Sequence, residues 1–183
     1  LVLWAITRDR TLAMELFHTK VVEYMVPPSD LGVLLRRPWT LVTNMFLHYD
    51  PGHLFWNMVL LWTIGRLYGD ILGDRRMLGT YLLGGLFGSA LFVTTSNFFP
   101  VGDKLPTALG ASGAVVSIVV MIASYRPDML VNVLLIGPVK LMYFAGVLML
   151  LDLIGMGSPD GVAHAAHIGG ALYGFSAAMM MKR

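Results

Sequence analysis

Cysteine is absent from the 183 residues, which removes disulfides, thiolate nucleophiles and cysteine-based metal sites and leaves the redox compartment unreadable. Charge is scarce as well. Asp, Glu, Lys and Arg make up 13% of the chain, against roughly 25% in soluble domains, while 56% of it is hydrophobic. A soluble fold needs a polar exterior that this composition cannot build, so lipid is the solvent that explains it. The basic residues stand singly or in pairs for a net charge of +2, without the stripe that nucleic-acid binding requires. The first residues also lack the basic region and small-residue cleavage site of a signal peptide. Leu1 to Ile6, apolar for barely two turns before Arg8, Asp9 and Arg10, reads as the remnant of a truncated first transmembrane helix.

What is present is a single membrane domain over residues 1–183. Residues 11–39 mix apolar positions with Glu15, His18, Lys20, Glu23, Asp30, Arg36 and Arg37, the polarity of a helical segment lying in the interface, broken at Pro27 and Pro28. Apolar spans follow over 52–72, 77–97, 112–125, 139–156 and 162–181. Gly73 to Arg76 is expected as a short charged connection and 98–109 as a loop. Met129 to Gly137 is hydrophobic yet short, and either inserts or lies on the surface. Small residues four apart at Gly84/Gly88 and Gly85/Ser89 favour close helix packing. The span from Ser112 covers about 21 Å at 1.5 Å per residue, short of the ~30 Å hydrocarbon core, so it must begin below one surface. With the carboxyl terminus in the cytoplasm, Arg66, Arg75, Arg76, Arg126, Lys140, Lys182 and Arg183 lie inside, a weak positive-inside signal.

Three constellations carry chemistry. In Gly110-Ala111-Ser112-Gly113, two glycines clear the approach to a hydroxyl, and the N–H groups at a helix start have no intrahelical acceptor, so they can hold an oxyanion. Taken alone, such a motif is more often a helix cap or packing contact. In His164-Ala165-Ala166-His167-Ile168-Gly169-Gly170, His167 shares a face with Gly170, Ala171 and Gly174. Imidazole is the base a serine needs, although a lone histidine there is as readily a hydrogen-bonded packing residue. His53 and Asn57 lie one turn apart in a span, where two donors suit an oxyanion hole or plain interhelical hydrogen bonding. A metal site built on His48, His53, His164 and His167 is the rival chemistry. It lacks the HExxH motif, and Asp50 is the carboxylate within three residues of any of these histidines.

Taken in order, Trp39-Thr40-Leu41-Val42-Thr43, Phe46-Leu47-His48, His53-x-x-x-Asn57, Leu72-Gly73-x-Arg75-Arg76 with Tyr81, Gly110-x-Ser112-Gly113 and Ala166-His167-x-Gly169-Gly170-x-x-x-Gly174 resemble the landmarks of the rhomboid intramembrane serine proteases. The resemblance implies an all-α, six-helix transmembrane bundle with an interfacial first loop. It implies Ser112 as nucleophile and His167 as base, with no aspartate completing a triad. His53, Asn57 and the Ser112 backbone N–H would form the oxyanion hole, with Gly110, Gly113, His164 and Gly170 in support. The Gly155 to Gly161 loop would cap the site, and the helix before it would be a lateral gate. One departure stands out. Where the family often carries an aromatic residue one turn after the serine, this chain has Val116, so His167 needs another orienting group, to which His164 could contribute.

The expected function is therefore endopeptidase action on transmembrane protein substrates in the lipid bilayer, without cofactor or metal, in a bacterial inner membrane. The alternative is a pseudoprotease that binds membrane-protein clients uncut. A small transporter would show paired repeats, which the sequence does not. Substrate identity and oligomeric state are not encoded in any motif.

Overall fold

The computed structural model describes residues 7–28, 30–48, 50–98, 108–133, 136–156 and 163–182. The expected helix remnant at 1–6 and most of the 155–161 loop lie outside them. The described chain is predominantly helical. Helix α1 (Arg10–Phe17) is capped by Asp9, whose carboxylate accepts the Thr11 and Leu12 N–H groups, and it runs through a π turn (His18–Val22) into the single turn α2 (Glu23–Met25), ending ahead of Pro27 and Pro28. Helix α3 (Leu31–Arg36) is capped by Asp30. The turn α4 (Thr40–Thr43) continues into a 3-10 turn (Asn44–Phe46). The first segment is tied to α4 by polar contacts at its ends. Trp39 Nε1 donates to the Tyr24 carbonyl at 2.9 Å and Thr43 Oγ1 to that of Met25 at 2.7 Å, while the Arg37 guanidinium stacks 4.3 Å from the Tyr24 ring centre.

The next helices are α5 (Pro51–Leu60), joined through a π turn (Leu61–Gly65) to α6 (Arg66–Leu72), then α7 (Asp74–Phe98), α8 (Ser112–Tyr125), α9 (Leu141–Gly155) and α10 (His164–Met181). Residues 74–76, expected in a connection, instead form the first turn of α7. Gly73 alone makes the break, with φ of +90°, and Asp74 sits where a helix start favours negative charge. The hydrophobic stretch after α8 is a two-stranded antiparallel ribbon, β1 (Leu130–Val133) paired with β2 (Gly137–Lys140). Val139 and Lys140 thus belong to a strand rather than to the following helix. The ribbon is held to the preceding turn by a Lys140–Asp128 ion pair of 2.7 Å.

Helix α8 is the axis of the molecule. Eleven of its fourteen residues, Gly113 to Ala123, are buried, so it is surrounded on every side, as expected of a helix apolar all round. Glycines let its neighbours approach: a Cβ on Gly84 of α7 would overlap Ser117 of α8, and one on Gly174 of α10 would overlap the Ser117 carbonyl. Polar groups in this interior are paired. Ser117 Oγ donates toward the carbonyls of Thr80 and Ala114 at 2.9 and 2.7 Å, and the fully buried Tyr68 shares a 2.8 Å hydrogen bond with Thr80. The exterior is the apolar side. Val147, Leu150, Leu151, Leu153 and Ile154 of α9, and Leu172 and Phe175 of α10, are all exposed, far more than a water-facing surface carries in one band. Among the described residues α7 is the helix long and apolar enough to cross a membrane by itself, with α8 and α9 shorter apolar helices.

Candidate active site

The segment that presents Ser112 is pinned before the helix begins. Gly110 adopts φ of +125°, open to glycine and strained for other residues, and a Cβ there would stand 2.7 Å from the His53 ring. Its N–H donates to the Asn44 carbonyl at 3.0 Å, and the Ala111 N–H donates to His48 Nε2 at 3.2 Å. Asn44 is itself fixed by its side-chain amide, which reaches Ser89 Oγ at 2.8 Å and the Thr40 carbonyl at 2.9 Å. The 39–48 landmarks thus serve to hold the turn from which α8 starts.

From α10, His167 projects toward that start, and its Nε2 lies 2.7 Å from Ser112 Oγ. Small residues permit this approach: a Cβ on Gly170 would collide with the Gly113 carbonyl, and one on Gly113 would stand 3.0 Å from the Ala166 carbonyl. Ser112 and His167 open onto a cavity of about 270 Å³, whose lining includes His53, Gly110, Gly113 and Ala166.

His53 belongs to α5, whose start is set by Pro51 in the first turn and by Asp50, which accepts the His53 N–H at 2.8 Å. Asp50, the carboxylate closest in sequence to His48 and His53, is therefore a helix cap. Asn57 lies one turn deeper and does not line the cavity. Its side-chain amide donates to the His53 carbonyl at 2.9 Å and stands 3.5 Å from His48 Nε2. His48 packs edge-on against His53, ring centres 5.2 Å apart. Burial and the neighbouring His53 both hold its pKa below the ordinary value, in keeping with a neutral ring that accepts through Nε2.

A residue that no sequence motif marks is also here. The expectation of no aspartate beside the dyad is corrected: Asp152 of α9 places Oδ1 2.7 Å from His167 Nδ1 and 2.8 Å from His164 Nδ1. It comes from a different helix, fifteen residues away in sequence, so no local spacing revealed it. Yet an ionisable residue within an apolar helix is itself a sign of function. Asp152, His164 and His167 bring potential ligand atoms within 4.8 Å of one another. That donor set is one zinc takes, although here the Nδ1 atoms and Oδ1 are engaged in hydrogen bonds with each other. His48 and His53 form a separate cluster, so the four histidines of the rival metal reading do not form one cluster.

A family model described as Rhomboid domain matches residues 35–183. The chain belongs to the rhomboid family. It is 32% identical over 142 residues to Presenilin-associated rhomboid-like protein A, mitochondrial, of Danio rerio, an alignment covering 73% of this chain and 35% of that protein. It is 27% identical over 150 residues to Rhomboid protease AarA of Providencia stuartii, covering 74% and 53%. It is 29% identical over 144 residues to RHOMBOID-like protein 12, mitochondrial, of Arabidopsis thaliana, covering 72% and 43%. This rhomboid chain thus spans about a third to a half of the length of the curated relatives it matches. A rhomboid domain agrees with the apolar exterior and with a place in a membrane. Mitochondrial relatives stand beside the bacterial one, so a bacterial inner membrane is not singled out.

Proposed function

We propose that this rhomboid is a serine endopeptidase that hydrolyses peptide bonds in or near the transmembrane segments of other membrane proteins. The observation that carries the reading is the 2.7 Å contact between Ser112 Oγ and His167 Nε2 at the wall of a cavity large enough to admit water and a short stretch of peptide. In this reading the bundle has six helices. Helices α5 with α6 supply the second and α7 to α10 the third to sixth, with residues 11–39 in the interface. Helix α8, with only fourteen residues, then starts below the surface and places Ser112 within the bilayer.

Ser112 attacks the scissile carbonyl while its proton passes to His167 Nε2. The tetrahedral oxyanion is met by the Ser112 N–H and the His53 ring, with Asn57 acting from behind. His167 then returns the proton to the leaving amine, and water hydrolyses the acyl-enzyme by the same route. A transmembrane helix hides its carbonyls in hydrogen bonds, so substrates with small or helix-breaking residues near the cut are favoured.

The test uses the full chain in liposomes with a co-reconstituted transmembrane substrate. Ser112→Ala and His167→Ala are each expected to lower cleavage by ~10³-fold or more. Substantial cleavage by either variant overturns the assignment. Capture of an uncut substrate by the parent protein would instead mark a binding protein.

A further inference from the structure

Helix α9 is apolar along its length, LMYFAGVLMLLDLIG, except for one residue. Asp152 opens its last turn, buried, with its side chain about 10% accessible. A carboxylate in that setting is costly unless it is paired and hydrogen-bonded. Asp152 is paired on both sides. His164 and His167, three residues apart and so on one face of α10, each direct Nδ1 at the same oxygen, Oδ1. The backbone makes room for this clamp, because a Cβ on Gly155, the last residue of α9, would overlap the His164 ring.

The chemical consequence lies in the tautomer. A carboxylate only accepts, so each Nδ1 facing it must carry its proton. A neutral His167 held as Nδ1–H has its lone pair on Nε2, the atom facing Ser112 Oγ. The hydroxyl then donates to it, which is the arrangement proton abstraction requires. The other tautomer would put N–H against the hydroxyl and leave no base. Val116, one turn after Ser112, offers neither a ring to stack on nor a polar atom to hold the imidazole.

We propose that Asp152 is a positioning residue of this site, acting through His167, and that His164 steadies the carboxylate from its other side. The inference rests on the proteolytic reading above. In the acylation step the Ser112 O–H bond breaks as Oγ bonds to the substrate carbonyl carbon, and the proton passes to His167 Nε2. Asp152 stays ionised and stabilises the imidazolium until the proton leaves with the amine.

The experiment compares the full-length parent with Asp152→Asn, which keeps the volume and one acceptor oxygen, in liposomes with the transmembrane substrate. A second measurement, 15N NMR of histidine-labelled protein with His167→Ala to assign the signal, reads the tautomer directly. Asp152→Asn is expected to lower kcat by ~10³- to 10⁴-fold with KM changed less than about threefold, and to move His167 away from the pure Nδ1–H signature. His164→Ala is expected to lower kcat by about tenfold or less and to leave that signature in place. An Asp152→Asn protein with parental kcat and an unchanged His167 signature overturns the inference while leaving the protease reading intact. If the parent cleaves nothing, the protease reading fails, and the tautomer comparison, which needs no turnover, still decides whether Asp152 sets His167.

Discussion

The carbonyl of Gly113 occupies the space where a Cβ on Gly170 would stand. This contact between the start of α8 and the middle of α10 sets the separation of the two helices, and with it the distance from Ser112 to His167. Substituting Gly170→Ala forces them apart. The overpacking is expected to cost about 1–3 kcal/mol of stability, and a displacement of about 1 Å at the reacting atoms to cost on the order of 10²-fold in turnover. Thermal unfolding in detergent and substrate cleavage in liposomes measure the two effects. Parental turnover in Gly170→Ala would show that the contact does not set the geometry.

His48 gives the site a pH dependence of stability. Its folded pKa lies below the ordinary 6.5, through burial first and His53 second. At acidic pH the unfolded chain therefore takes up a proton that the folded chain resists, so stability is full above about 6.5 and falls as pH drops through that value toward the folded pKa. Protonated Nε2 can no longer accept the Ala111 N–H. His48→Gln, which retains an acceptor without titrating, is expected to flatten the acid side of a melting-temperature profile. An equally steep acid side in the variant would reassign the dependence to other groups.

The parts legible in the sequence were those with a local signature. The apolar run after Ser112 foretells the helix over Ser112–Tyr125, and small residues at Gly84 and Gly88 foretell the close packing seen there. The glycines flanking Ser112 and His167 signal the close approach of α8 and α10 at Gly113 and Gly170 and a positive φ at Gly110. Asp152 was not legible by spacing, because its partners lie across a helix boundary; only the oddity of a carboxylate in α9 signalled it. The ribbon after α8 escaped because a short Val- and Leu-rich run has no period long enough to separate strand from inserted helix. Charge at residues 74–76 suggests a loop by composition, whereas here it marks a helix start.

Tyr68 and Thr80 separate stability from activity. Their 2.8 Å hydrogen bond joins α6 to α7 in the buried interior, away from the cavity that holds Ser112. Tyr68→Phe removes the hydroxyl and takes from the buried Thr80 hydroxyl the partner it has here. A loss of about 1–3 kcal/mol in unfolding free energy is expected, with kcat within about twofold of the parent. A large fall in kcat at unchanged stability would mean that α6 communicates with the site.

Asn57 tests how the oxyanion is met. Its amide already donates to the His53 carbonyl at 2.9 Å and faces His48 at 3.5 Å, so a direct hydrogen bond to the oxyanion would need those contacts to rearrange. A donor aimed from the outset at the oxyanion contributes ~10²- to 10³-fold in kcat. An amide that acts by holding the His53 turn and the His48 ring contributes less, and about tenfold is expected for Asn57→Ala, with KM little changed. His53→Ala removes a ring on the cavity wall itself and is expected to cost the full ~10²-fold. The two variants are compared by cleavage rate in liposomes and by the rate of fluorophosphonate labelling at Ser112, which forms a tetrahedral adduct needing the same donors. If Asn57→Ala falls as far as His53→Ala in both assays, the amide must turn to the oxyanion during the reaction.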